Sequence, residues 1–250
     1  MLEVHQRIVG DGGARTLTTT YENDPFGNPT RTVDPLGRVT RITYDGLERR
    51  VRLEDPTVGT TRYEYDAAGK LLRQTDSSGR ITHFAYDALG KLTRKVLPTG
   101  QVYTYTYGND GSRNNVGRLI GSTDPAGAVE LEYDPRGNVS QKRRITASVS
   151  LIVGYAYDSM QRLSKVTYPD GFEARYAYGR GGLVSRIEDA SGRALVARIN
   201  RTALGLRERI EYGNGVATSY EYDAQDQLRS LRTGSGRGAH QDLGQGSPHD

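Results

Sequence analysis

Hydrophobic and polar positions alternate along this chain in short runs that end at tyrosine. Two residues before successive tyrosine anchors stand Ile42, Tyr63, Phe84, Tyr105, Leu131, Tyr155, Tyr176 and Tyr220, all large and apolar or aromatic. One residue before them stand Thr43, Glu64, Ala85, Thr106, Glu132, Ala156, Ala177 and Glu221. Period two puts one set on a packed face and the other toward solvent, which predicts strands. A second run opens on an apolar residue six positions beyond its anchor, at Leu71, Leu92, Val139, Leu163 and Leu228, and continues through polar residues such as Arg73, Arg94 and Lys165. No helical period is sustained anywhere.

These paired runs recur. Tyr65-Asp66-Ala67-Ala68-Gly69-Lys70-Leu71 returns 21 positions later as Tyr86-Asp87-Ala88-Leu89-Gly90-Lys91-Leu92. Anchors fall at Tyr21, Tyr44, Tyr65, Tyr86, Tyr107, Tyr133, Tyr157, Tyr178 and Tyr222, with a decayed copy at Arg201-Thr202-Ala203-Leu204-Gly205. Two wide gaps contain polar or small-residue insertions, 109–115 and 141–150, and read as longer loops. Between anchors sits a second mark, seen in Asp34-Pro35-Leu36-Gly37-Arg38, Asp76-Ser77-Ser78-Gly79-Arg80 and Asp189-Ala190-Ser191-Gly192-Arg193. Asp bonds the backbone two residues on, Pro presets φ, and Gly accepts positive φ, so each mark is a turn. The unit is strand, Tyr-Asp turn, strand, Gly turn: an antiparallel hairpin meander. The organisation expected is a partial repeat over 1–20, about ten repeats over 21–231, and a disordered Gly-rich tail over 232–250.

Composition refines this picture. Only 35% of residues are apolar, and the mean hydropathy is -0.67, so one thick core is excluded. The 17 tyrosines nevertheless separate the chain from disordered sequences, which are poor in aromatics. Order with thin cores is expected. The 34 basic and 30 acidic residues are interspersed, giving a net charge of +4 without the long basic stripe that nucleic-acid binding would show in sequence. The absence of cysteine excludes thiol chemistry and disulfides. No apolar stretch approaches the ~20 residues of a membrane helix, and the first residues do not read as a secretory signal.

Candidate chemistry is sparse. His5, His83, His240 and His249 are scattered, with no H-E-x-x-H spacing; His83 reads as a polar side chain opposite Phe84 and Tyr86. Glu130 and Glu132 share a strand face, but Glu64 and Glu221 recur in the same slot, so they read as solvated or Arg-paired. Each Tyr-Asp turn offers one carboxylate beside a base, too few oxygens for calcium, and its Asp reads as a turn cap. No catalytic residue, cofactor or metal is expected. The positions singled out are structural: Tyr44, Tyr65, Asp66, Gly69, Tyr86, Asp87, Gly90, Tyr133, Asp134, Gly137, Tyr157, Asp158, Tyr222 and Asp223.

The Tyr-Asp-x-x-Gly-Arg/Lys-Leu frame alternating with Asp-Pro-x-Gly-Arg turns resembles the YD repeats of the Rhs family, related to those of the insecticidal toxin-complex C-component and of teneurins. The resemblance covers about Tyr21 to Leu231. It implies an all-β fold in which tandem hairpins form a curved, spiralling β-sheet ribbon, here part of an Rhs-type shell. It further implies a non-enzymatic protein, secreted or at the cell surface by a route not encoded in this chain. Its partners would be the remaining repeats of a longer shell and an encapsulated C-terminal toxin, in interbacterial competition or toxin delivery. The self-cleaving terminal plug of bacterial shells has no counterpart after Asp223, so that activity is not carried over. About twenty strands at ~4.8 Å give a ribbon of roughly 95 Å, too short to close a large cavity, and a shell fragment is the expectation. Rows of tyrosine could also stack on sugars, which leaves a carbohydrate-binding or cell-surface adhesive role as the alternative.

Overall fold

The computed structural model describes residues 2–10, 13–235 and 241–242. Among them nearly every ordered segment is a strand, the exception being one 3-10 turn at Gly111–Arg113. The chain divides into two compact units, residues 1–106 with 121–127, and residues 107–120 with 128–250.

The first unit is a run of antiparallel hairpins. Leu2–Gly10 pairs with Gly13–Asn23, which pairs with Pro29–Val33, and the series continues through Val39–Tyr44, Arg50–Asp55, Gly59–Tyr65, Leu71–Thr75, Ile81–Tyr86, Leu92–Val96 and Val102–Tyr107. The second follows the same scheme from Gly127–Tyr133 through Val139–Ile145, Ser150–Tyr157, Leu163–Thr167, Glu173–Tyr178, Val184–Glu188, Ala194–Arg201, Arg207–Tyr212 and Val216–Tyr222 to Leu228–Ser235. The expected outgoing strands do begin at Leu71, Leu92, Val139, Leu163 and Leu228.

The period-two pattern becomes two unlike faces. Ile42, Tyr63, Phe84, Leu131 and Tyr176 are half-buried, while Thr43, Glu64, Ala85, Glu132 and Ala177 between them and the anchors are exposed. The core is thin: among the described residues only Val166, Ala174 and Ile210 are buried hydrophobics, and no large side chain is fully enclosed.

Stability therefore depends on how one hairpin grips the next, and the anchor hydroxyls show the grip. Tyr44 Oη donates to the Pro29 carbonyl (3.1 Å), Tyr65 to Arg50 (2.8 Å), Tyr133 to Leu119 (2.6 Å), Tyr157 to Val139 (3.0 Å), Tyr178 to Leu163 (2.7 Å) and Tyr222 to Arg207 (2.8 Å). Each acceptor lies at the start of a strand in the preceding repeat, so a phenylalanine would pack there but leave the carbonyl unserved. Burial pushes the hydroxyls of Tyr65, Tyr133 and Tyr157 above their ordinary value of 10.0, keeping them protonated donors.

A one-residue register shift follows each corner, as between Glu64 and Tyr65 or Ala177 and Tyr178. The extra residue is a bulge on the outgoing strand. In three repeats its hydroxyl bonds back across the corner: Thr30 Oγ1 to the Glu22 carbonyl, Thr93 Oγ1 to Ala85 and Ser185 Oγ to Ala177.

Three expectations are corrected. The first corner is Asn23-Asp24 rather than Tyr21: Asn23 faces Pro29 in the corner position and Tyr21 lies two residues back on the same face, which restores a spacing of 21 to Tyr44. Only one insertion is a loop. Residues 109–118 hold the 3-10 turn and a bridge between Gly108 and Val116, but the 141–150 insertion extends the hairpin, pairing Arg144 with Leu151 and Ile145 with Ser150. The β-branched Ile145, Ile152 and Val153 favour that outcome. Lastly, the final strand runs to Ser235, four residues past the expected repeat boundary, because Thr233 Oγ1 meets Thr218 Oγ1 at 2.9 Å in register. The rest of the expected tail, apart from Gln241–Asp242, lies outside the described residues.

Replacing Tyr178 by Phe should lower stability by about 1 kcal/mol with an unchanged circular dichroism spectrum. Denaturant titration reads this directly, and an unshifted midpoint would show that the hydroxyl contributes nothing.

Candidate functional site: the Tyr-Asp corner

Most corners are built around one aspartate. Asp66 donates its N–H to the Lys70 carbonyl (2.9 Å), its carbonyl accepts the Gly69 N–H (3.0 Å), and its Oδ1 accepts the Lys70 N–H (2.8 Å). Asp87 repeats this with Gly90 and Lys91, Asp134 with Gly137 and Asn138, and Asp223 with Asp226 and Gln227. A turn closed this way, followed by a left-handed residue, is the three-residue hairpin loop with a bulge. The Gly turns at the opposite ends of the strands use the same bonds around Asp34, Asp76 and Asp189. The decayed copy keeps them too, with Thr202 Oγ1 accepting the Leu206 N–H in place of a carboxylate.

The left-handed position is glycine at Gly90 and Gly137 (φ +77° and +85°), yet Glu48, Gln161 and Asp226 hold the same position at φ 59°, 60° and 59°. The frame that the sequence shows as glycine is thus a backbone requirement that three corners meet under strain.

The residue four beyond the Asp ties the corner to the next repeat. Arg49 bonds Asp45 Oδ2 through Nε and Nη2 at 2.7 Å each, sends Nη1 to the Asp66 carbonyl (3.0 Å), and lies 4.9 Å from the centre of the Tyr65 ring. Arg162 holds Asp158 in the same way (2.7 and 2.6 Å) and covers Tyr178 at 4.2 Å. From the long loop, Arg118 reaches the Gly137 carbonyl (3.2 Å) and sits 5.4 Å over Tyr133. Cation–π contact of this sort adds attraction between repeats. A side chain at Gly90 would run into Lys70, and one at Gly137 into Arg118, so these glycines also make room for the neighbouring cation. This relay was not foreseen from sequence, although its signal, a base after the turn, is written into the frame.

The expected positions fall at corresponding places. Tyr44, Tyr65, Tyr133, Tyr157 and Tyr222 carry the hydroxyl bonds above; Asp66, Asp87, Asp134, Asp158 and Asp223 close turns; Gly69, Gly90 and Gly137 take positive φ. Tyr86, with Phe84, Asp66, Lys70 and Asp87, lines an open groove of about 580 Å³ along the corner edge. His83 is exposed on the face away from Phe84 and Tyr86, and Glu130 lies 3.6 Å from Arg143. Among the described residues no three acidic or histidine side chains converge as a cation site would need. The Arg49 guanidinium holds the Asp45 carboxyl below its ordinary value of 3.8, and Arg162 does the same to Asp158.

Comparison with known proteins agrees with this geometry. The RHS Repeat family profile matches residues 24–60, 65–96 and 86–114. Double-stranded DNA deaminase toxin A of Burkholderia cenocepacia (strain H111) is 30% identical over 121 residues, 48% of this chain and 8% of that protein. The Tc holotoxin pore of Photorhabdus luminescens contains a chain with the same fold, at a TM-score of 0.76 and 20% identity over 91% of this chain and 13% of that one. The TcdB2-TccC3 structure lacking its hypervariable C-terminal region gives 0.75 and 20% over 92% and 13%. The chain thus spans about a tenth of the length of these proteins.

Two outcomes are expected. Gln161→Gly should relieve strain and raise stability by about 0.5–1 kcal/mol, read by thermal melting; a loss would refute the strain. Because the folded carboxyls of Asp45 and Asp158 titrate below the ordinary value, their contribution is complete above that value and is lost as pH falls through the lowered one. Melting temperature should therefore fall in acid, below about pH 4, and Arg49→Met should reduce that fall; an unchanged acid limb would rule out the pairing.

Proposed function

From the RHS Repeat profile matches between residues 24 and 114 and the shared fold, we propose that the chain is a YD-repeat protein of the Rhs family and a non-catalytic segment of a toxin-associated repeat shell. Its role is to help encapsulate or present a C-terminal effector during toxin delivery or interbacterial competition. The observation that carries this reading is the fold match over more than nine-tenths of this chain to one-eighth of a Tc toxin chain. The chain's partners are then the flanking repeats and the enclosed effector, and its place of action is outside the producing cell. No helix among the described residues is long and apolar enough to cross a membrane.

The corner chemistry supports a scaffold. The tyrosine hydroxyls, aspartate carboxylates and arginines that a reaction or a sugar would need are bonded within and between hairpins. The adhesive alternative draws on one feature, the groove where Phe84 and Tyr86 adjoin Asp66 and Asp87.

The chain, joined to shell repeats on both sides and to a C-terminal reporter domain, should shield that reporter from protease at least tenfold relative to the free domain. Cleavage at the free rate would exclude the shell role, and capture on a glycan array that is lost in Tyr86→Ala would favour the adhesive one.

A further inference from the structure

The face of the first unit that looks away from its aromatic anchors breaks a pairing rule at the same place in two successive hairpins. Register sets Arg31 opposite Arg41, Arg52 opposite Arg62, and Arg73 opposite His83, with Arg94 opposite Thr104 continuing the line. Directly opposed side chains have Cβ atoms only ~4.5–5.5 Å apart, where like charges destabilise a sheet. Glutamates offset one arginine of each pair: Glu22 reaches Arg31 (2.7 Å), Glu54 reaches Arg52 (2.5 Å) and Glu64 reaches Arg73 (3.3 Å). Arg41 and Arg62 are exposed and form no ion pair among the described residues, and the Nε atoms of Arg52 and Arg73 are buried without a partner.

The second unit shows what completes such a pair. Lys165 stands opposite Arg175, and the carboxylate of Glu173 lies between them at 2.8 Å from each. In the first unit Glu54, which faces Arg41 on one side and Thr60 on the other, closes on Arg52 alone and leaves Arg41 and Arg62 outside any ion pair among the described residues. A local rule broken repeatedly at one place marks a site whose compensation comes from elsewhere.

We propose that this arginine ladder is a docking surface for an acidic polypeptide segment, whose carboxylates engage Arg41 and Arg62, the members of the two pairs that Glu22 and Glu54 leave unmatched, so that both cations of each pair are held as Glu173 holds Lys165 and Arg175. Successive pairs lie two strands apart, ~9–10 Å, so a multivalent chain suits them better than a single ion. Nucleic acid is disfavoured because the stacking rings that single strands require, Tyr63, Tyr65, Phe84 and Tyr86, alternate onto the opposite face. The guanidinium fork matches a carboxylate in two-pronged fashion. The proposal does not depend on the shell reading.

Polyglutamate, a single-stranded oligonucleotide and heparin, each titrated into the full chain at low salt, test it by calorimetry and melting. Polyglutamate should bind, raise the melting temperature, and weaken as salt is added. The Arg41→Gln/Arg62→Gln variant should bind it at least tenfold more weakly and, freed of repulsion, melt no lower than wild type without ligand. Arg180→Gln/Arg229→Gln removes the same charge from exposed positions elsewhere and should bind as wild type. The proposal is overturned by no polyglutamate binding, by equal weakening in the control variant, by a ladder variant that melts below wild type, or by tighter binding of oligonucleotide or heparin.

Discussion

A phenol bonded to a carbonyl one hairpin away, with a guanidinium laid over its ring, is the contact on which the rest of this structure depends. Strand ladders explain why each hairpin exists, but ladders are indifferent to what stands beside them. The anchor tyrosine is specific. Its ring covers part of the preceding repeat, its hydroxyl fixes where along that repeat it sits, and its position beside the turn aspartate brings the earlier arginine within reach of ring and backbone together. In a chain with almost no enclosed hydrophobic residue, such contacts supply the cohesion that a core supplies elsewhere. Energetics should follow nearest neighbours, as in other repeat arrays.

That dependence accounts for the composition. A thin sheet needs residues that are apolar on their flanks and polar at their tips, and tyrosine and arginine meet both demands. The turn aspartates serve twice, closing the backbone and holding the cation that reaches forward. Little polar chemistry is left uncommitted at the corners, and for that reason the molecule reads as scaffold. Uncommitted charge is found instead on the opposite face, where Arg41 and Arg62 form no ion pair among the described residues.

Much of this was legible in the sequence. The 21-residue frame, the alternation before each tyrosine and the Asp-x-x-Gly marks are local, and they carried the strands, the turns and the outgoing starts at Leu71, Leu92, Val139, Leu163 and Leu228. What escaped depends on partners. Asn23 replaces tyrosine at the first corner, which only its pairing with Pro29 reveals. The 141–150 insertion looks polar enough for a loop, but adding residues to both arms of a hairpin preserves pairing. Glu48, Gln161 and Asp226 hide the left-handed position behind ordinary residues. The opposition of Arg31 to Arg41 is set by the register of two strands joined across the Gly turn, a relation between residues ten apart that the period-two pattern alone does not display.

The most direct test of the central claim is a double-mutant cycle between repeats, using Arg162→Met, Tyr178→Leu and the pair together, with stability read by denaturant unfolding. Contact between the guanidinium and the ring predicts a coupling of about 0.5–1 kcal/mol. Strictly additive effects would mean that neighbouring hairpins are held by their ladders alone, and would contradict the account.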